Sequence, residues 1–418
     1  MKPIQQQFTV RYSFPVLFSR DVFNPANPLL ADFLRNAGLK RHRILVFIDS
    51  GVVANCPEIN LQVERYGGTH SHIMDLAAAP VIMGGGEQCK NDPSSLELVQ
   101  TLIGENRLCR QSFVLAIGGG ALLDVVGYGA ATAHRGVRLI RMPTTVLAQN
   151  DAGVGVKNGI NGLGRKNFLG TFAPPAAVIN DFAFLNTLPT RDLRAGIVEA
   201  VKVALIKDAD FFHTLCNERH RLAAFAADAM ENMIYRCAAL HIDHIGTQGD
   251  PFETGSSRPL DFGHWSAHKL EELTGHEINH GEAVAIGIAL DSLYSRQCGM
   301  ISQAELDSIL ALLEDLHLHL FHPALNKMDI TEALRDFQEH LGGELTITLP
   351  QGIGSAVEVH DINTVLMQRC IAMLAQRWHN RFQRWKNRGP TTVPRRLTVK
   401  KGSGKSFPSP VVIGLGSR

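Results

Sequence analysis

Residues 113–117 (FVLAI) run straight into Gly118-Gly119-Gly120 and then into the small-residue stretch 121–132, and a second apolar run, 138–142 (RLIRM), follows. A short β-branched strand, a glycine turn, a helix and another strand constrain the chain more than any other pattern in it. Parallel strands need a crossover, and the helices that provide it cover both faces of the sheet. The same texture recurs. Residues 44–48 (ILVFI) end at Asp49-Ser50-Gly51, 80–83 (PVIM) lead into GGGEQCK, 95–105 have helical spacing, and 178–181 make a last strand. Residues 9–18 read as an opening strand or two, while 61–72 carry no clear pattern.

Beyond Pro174-Pro175 helical periodicity takes over. Thr190 is the expected N-cap of RDLRAGIVEAVKVALIKD, and further helices are expected around 219–241, 264–274, 280–297, 302–316 and 330–341. No internal repeat interrupts the series. At 418 residues the chain has room for two cores. The expected fold is therefore an α/β N-terminal Rossmann-like nucleotide-binding domain (1–181), an all-α C-terminal metal-binding domain (182–376) and a basic tail (377–418). The site is expected in the cleft between the domains.

Composition narrows the classes further. Hydrophobic residues at 45% and charged residues at 19% suit a soluble enzyme. No apolar run approaches the roughly 18 residues of a membrane span, and the N-terminus lacks the pattern of a signal peptide. The seven cysteines (56, 89, 109, 216, 237, 298, 370) are scattered, as in a reduced cytoplasmic protein. The net charge of +1 hides an asymmetry: residues 377–418 hold eleven Lys or Arg and no acid, leaving 30 basic against 40 acidic residues elsewhere. A tail of that composition reads as a solvated, disordered extension rather than a nucleic-acid arm. Neither nucleic acid nor membrane is an expected partner.

Chemistry concentrates in a few places. Glycines at 118, 119 and 120 let the backbone approach a pyrophosphate while the helix supplies amide donors, although GGGxxxD is a weaker signal than GxGxxG. Asp49, following a strand, is placed to hold a ribose hydroxyl or simply to cap a helix. Glu199 and Lys202 share a helical face among apolar neighbours (GIVEAVKVALI), where both are costly unless ligated or paired. With His264, His268 at i+4 from it, and His280, they suggest a divalent-metal site; carboxylate and neutral imidazole suit zinc. Lys157, Lys166 and Asn167 lie in a glycine-rich loop, where charge and open backbone suit phosphate, and Arg135 in TAHRGVR is a further phosphate donor.

Taken together, these segments resemble the 3-dehydroquinate synthase family, the sugar phosphate cyclases, over about residues 44–352. The densest match runs from GGGALLD through PTTVLAQNDAGVGVKNGINGLGRKNFLG, then FLNTLP, GIVEAVK, FGHWSAH and NHGEAVAIG. The resemblance implies NAD contacts at Gly118, Gly119, Gly120, Asp124, Thr144, Thr145, Glu87, Lys90 and the segment from Phe184 to Thr187. It implies Glu199, His264 and His280 as ligands of Zn or Co. Substrate contacts fall on Asp151, Lys157, Lys166, Asn167, Lys202 and His268, and Arg135 would reach a phosphate across a homodimer. The implied reaction carbocyclises a seven-carbon ketose phosphate with loss of phosphate, NAD being used and regenerated.

Departures from the family pattern bear on substrate. Leu260-Asp261-Phe262-Gly263-His264 places an acid where dehydroquinate-forming members have Asn. PFETGSSRPL brings in Pro259, a lysine is replaced near His241, and His340 stands where a carboxylate-binding lysine is expected. Fewer cations and one more acid disfavour a substrate carboxylate, so a neutral ketose phosphate such as sedoheptulose 7-phosphate is expected. Two other readings remain open. A metal-dependent polyol or glycerol dehydrogenase would share the glycine turn but needs no phosphate cradle. A non-catalytic relative would have no use for a buried ligand set.

Overall fold

The computed structural model describes residues 3–38, 41–163, 165–247, 252, 258–275 and 277–388. The chain divides into two compact units between Leu188 and Pro189, a little beyond the expected boundary at 181. The intervening residues, Phe182–Thr187, form a 3₁₀ turn that packs on the first unit.

The first unit is a seven-stranded, all-parallel sheet. Its strands are β1 (Val16–Ser19), β2 (His42–Asp49), β3 (Met74–Leu76), β4 (Val81–Met83), β5 (Phe113–Gly118), β6 (Arg138–Pro143) and, after the hairpin described below, β9 (Ala177–Asp181). Their order is β1-β9-β6-β5-β2-β3, with β4 also paired to β2. In β2, Ile44, Val46 and Ile48 face one core with α1 (Leu29–Asn36), α2 (Ser50–Asn55) and α3 (Ile59–Thr69). Leu45 and Phe47 face a second core with α4 (Gln88–Asn91), α5 (Pro93–Glu105) and α6 (Gly120–Thr132). Burial on both faces is why these strands read as unbroken apolar runs rather than alternation.

Three expectations are corrected here. Residues 9–15 take no strand. The unclear stretch 61–72 is largely α3. The glycine-rich loop is an antiparallel hairpin, β7 (Lys157–Gly162) with β8 (Arg165–Phe172). β7 packs on α6 at Gly127, where a Cβ would lie 1.9 Å from Asn158 Oδ1.

The second unit is helical: α7 (Thr190–Lys207), α8 (Ala209–Ala223), α9 (Ala227–Thr247), α10 (His264–Leu273), α11 (His280–Gln297), α12 (Gln303–Asp315), α13 (Ile330–Leu341) and α14 (Thr364–Arg388). One small antiparallel ladder, β10 (Ile347–Pro350) with β11 (Ala356–Val359), is added to the expected helices. The single helix expected over 219–241 is two, because Phe225 adopts a left-handed conformation (φ 54°) and breaks the run. Thr190 is the first helical residue, with Pro189 at the N-cap. Of the tail expected from 377, residues 377–388 continue α14; the rest lies outside the described residues, as do positions 253–257 of PFETGSSRPL. Among the described residues no helix is long and apolar enough to cross a membrane.

α7 and α11 are the central helices of this unit. α7 is buried continuously from Ala195 to Ile206 and α11 almost throughout. Arg191, in the first turn of α7, grips Glu282 with two hydrogen bonds of 2.9 and 2.6 Å. Glu282 also completes a capping box with Asn279 at the start of α11. Together these contacts fix the N-terminus of α11 against that of α7.

Candidate active site

At the carboxyl edge of the sheet, β2 ends at Asp49, β4 at Met83, β5 at Gly118 and β6 at Pro143. In open parallel sheets this edge is where ligands bind. Asp49 caps α2 by accepting from the Gly51 amide at 2.8 Å, and its carboxyl lies under Gly85, where a Cβ would come within 2.0 Å of Oδ2. Burial raises its pKa, opposed by the amides of Gly51 and Gly119. The Thr144 amide donates to the Gly118 carbonyl at 3.0 Å, and the Thr145 methyl faces Gly119. Asp49, the three glycines, Thr144 and Thr145 therefore make one cradle of bare backbone. The segment holding Phe184 and Thr187 packs against α2, with the Thr187 hydroxyl donating to the Phe184 carbonyl at 2.7 Å.

Beside it lies a charged cluster. The buried Lys90 ammonium donates to Asp124 at 2.7 Å and to the side chain of Asn167. Asn161 ties the hairpin to α4 by donating to Glu87 at 2.9 Å and to Asn91 at 2.8 Å, and it accepts the Asn167 amide at 2.8 Å. Asn167 is held at φ 53°. Asp124 is pushed up by burial and pulled back by Lys90 and Arg141.

Arg141, absent from the expected set, organises the next segment. It is fully buried and donates to the carbonyls of Ala152, Gly153, Gly155 and Lys157 and to Asn158 Oδ1, at 2.6–3.4 Å. Those carbonyls follow the π-turn Ala148–Ala152, which contains Asp151, and lead into Lys157 at the start of β7. Lys166, on β8, is exposed. Arg135 stands apart: it follows α6, whose 13 residues span about 20 Å from the glycine turn.

In the second unit, Glu199, His264 and His280 bring ligand atoms within 4.8 Å of one another. Each comes from a different helix: α7 supplies the carboxylate, α10 and α11 their first residues. Glu199 is fully buried and neither oxygen accepts a hydrogen bond, although the Lys202 ammonium, one turn on, is ion-paired to Oε2. The histidines are oriented from behind. His264 Nδ1 lies 3.0 Å from the Phe262 carbonyl and His280 Nδ1 lies 3.1 Å from Glu271 Oε2. Donation from Nδ1 leaves the Nε2 lone pair of each ring free for a metal. Burial, with Lys202 and His280 nearby, pushes His264 down to about 3, so its imidazole is neutral. A buried carboxylate, paired with Lys202 but accepting no hydrogen bond, beside two imidazoles with their Nδ1 atoms tied back fits a divalent cation of the zinc type.

His268 stacks edge-on against His264 and His340, with centroids at 5.5 and 5.7 Å. Asp261, half-buried in the 3₁₀ turn before α10, is near enough for its charge to oppose the fall in His264 basicity. Glu271 was not anticipated either, yet it lies at i+7 from His264, on the same helical face. Gly281 sets the distance between ligands, because a Cβ there would lie 2.2 Å from the Ala195 carbonyl. Gly281→Ala is expected to cost about 1–3 kcal/mol by overpacking. Zinc affinity should weaken with it as His280 is levered away from Glu199; unchanged zinc titration would count against this spacing role.

Comparison with known proteins decides the family. The family model described as 3-dehydroquinate synthase N-terminal matches residues 80–195, and that described as 3-dehydroquinate synthase C-terminal matches 196–339. The chain belongs to the 3-dehydroquinate synthase family. It is 34% identical over 381 residues to 2-epi-5-epi-valiolone synthase of Streptomyces hygroscopicus subsp. jinggangensis strain 5008, covering 90% of this chain and 89% of that protein. It is 37% identical over 294 residues to 3-dehydroquinate synthase of Dichelobacter nodosus strain VCS1703A, covering 69% of this chain and 78% of that protein. A solved structure of the Streptomyces synthase, with NAD+ and Zn2+ bound, superposes with a TM-score of 0.80 at 31% identity, over 90% of this chain and all of that one.

Proposed function

We propose that this member of the family is a carbon–oxygen lyase that carbocyclises a seven-carbon ketose phosphate with loss of phosphate. The observation that carries the proposal is the buried Glu199 carboxylate, which accepts no hydrogen bond, facing two imidazoles with their Nδ1 atoms tied back, in a chain that also has a glycine cradle. Glu199, His264 and His280 would hold Zn²⁺ or Co²⁺. Asp49, Gly118, Gly119, Gly120, Thr144, Thr145, Asp124, Glu87, Lys90, Phe184 and Thr187 would hold NAD. When bound, NAD supplies reversible hydride transfer and the metal polarises vicinal hydroxyls.

The chain's own residues do the rest. Lys157 would donate to the hydroxyl that becomes a ketone, and Asp151, fixed by the Arg141-bound turn, would orient the neighbouring hydroxyl. Lys166, Asn167 and His268 would orient the leaving phosphate, and Lys202, ion-paired to Glu199, would contact the substrate. Arg135, at the far end of α6 from the glycine turn, would serve the phosphate of a second protomer, which makes the working unit a homodimer.

Asp261 beside His264 and His340 against His268 favour a substrate without a carboxylate. The test is phosphate release by protein supplied with NAD and Zn²⁺ or Co²⁺. Sedoheptulose 7-phosphate is expected to turn over, with no net accumulation of NADH. 3-Deoxy-arabino-heptulosonate 7-phosphate should be at least ~10-fold poorer, the size of one unpaired charge contact. Release from the heptulosonate alone would reverse the assignment of substrate.

A further inference from the structure

α11 carries a second acid that the reaction does not use. Asp291 is fully buried, three turns beyond His280 and on the same face of the helix, since eleven residues at 3.6 per turn return to one side. An acid there is costly without donors. Its donor comes from α10: Trp265 Nε1 donates to Oδ1 at 2.9 Å, while Oδ2 accepts no hydrogen bond and the Gly263 amide, just before the helix, is near enough to favour the charged carboxylate. Gly263 and Trp265 are the residues on either side of His264.

The surrounding packing leaves little latitude. Gly263 is left-handed (φ 78°), and a Cβ on it would lie 2.9 Å from the Ile288 amide. A Cβ on Gly287 would lie 2.0 Å from the Gly263 carbonyl. The turn into α10 thus lies directly on α11, one turn before Asp291. At the other end of the same helix pair, Glu271 of α10 binds His280 of α11. Two buried carboxylates therefore clamp the pair reciprocally, each acting at a histidine of the trio: Glu271 on the imidazole of His280, Asp291 on the indole of Trp265, the residue after His264.

We propose that Asp291 is a positioning residue for the metal centre, fixing His264 through its hydrogen bond from Trp265 and the close packing of Gly263 on α11. The inference rests on the metal reading of Glu199, His264 and His280. Outer hydrogen bonds of this kind are worth about 10–100-fold in metal affinity.

The experiment is zinc titration of the metal-free full chain by chelator competition, with the visible spectrum of the Co²⁺-loaded protein as a readout of ligand geometry. Asp291→Ala is expected to bind zinc ~10–100-fold more weakly and to shift the cobalt bands. Asp291→Asn, which keeps an acceptor oxygen for the Trp265 indole, should recover most of the affinity. Trp265→Phe removes one bond without removing the acid, and it should give a smaller loss of the same sign; it also carries the test if Asp291→Ala does not fold. Leu310→Ala, in the α12 core, lowers stability elsewhere and should leave zinc affinity within about twofold. Asp291→Ala and Trp265→Phe binding zinc like the parent, with unchanged cobalt spectra, would overturn the proposal. A parent protein that binds no zinc would overturn the metal reading itself.

Discussion

Glu199→Gln is expected to abolish both metal retention and turnover while leaving the helical content intact. The substitution keeps the shape of the side chain but removes the charge that makes it a ligand. The site then offers two imidazoles and an amide. Polarisation by a bound metal amounts to several kcal/mol of transition-state stabilisation, so phosphate release should fall by ~10³-fold or more. The competing view treats Glu199 and Lys202 as a buried ion pair that only stabilises α7. The double variant Glu199→Gln/Lys202→Met separates the two. Removing both charges should recover the stability lost when the Lys202 ammonium is stranded, yet metal binding and activity should stay lost. A Glu199→Gln protein that retains one zinc and normal turnover would sink the ligand assignment.

The residues that could be read in the sequence share a physical signature. β2 and β5 stood out because both faces of each strand are buried, so their apolar runs are uninterrupted. Glu199 stood out because a carboxylate in GIVEAVKVALI has no inexpensive explanation. Asp291 obeys the same rule in GIALDSLYS, and Glu271 sits at i+7 from His264; both signals are present but are seen only once α10 and α11 are paired. The hairpin gave no signal at all. β8 is exposed along nearly its whole length, so no alternation marks it, and it is held by backbone pairing and by Asn161 and Lys90. The break at Phe225 was equally hidden, since the surrounding alanines and leucines would continue a helix. Conversely, residues 9–15 have strand-like alternation but take no strand, because pairing is a tertiary event that pattern alone does not guarantee.

Arg141 shows how much of the site depends on a residue with no chemistry of its own. Its guanidinium, pulled down to about 10 by burial, stays charged at neutral pH and collects four carbonyls and the Asn158 side chain. In RLIRM the position reads only as one more residue of a strand, yet the fork geometry of arginine is what gathers so many acceptors at once. Arg141→Met fills the space but leaves those acceptors buried and unsatisfied, and it deprives Asp124 of a cationic neighbour. The expected loss is about 3–5 kcal/mol, the range for breaking a buried charged network. It should appear as a marked fall in the denaturant midpoint. Arg141→Lys keeps the charge with a single ammonium and should fall between parent and Met. Because the same carbonyls shape the turn carrying Asp151 and the start of β7 at Lys157, whatever Arg141→Lys protein folds should bind zinc normally while turning over poorly. Loss of zinc affinity in that variant would mean that Arg141 acts on the fold as a whole rather than on this segment.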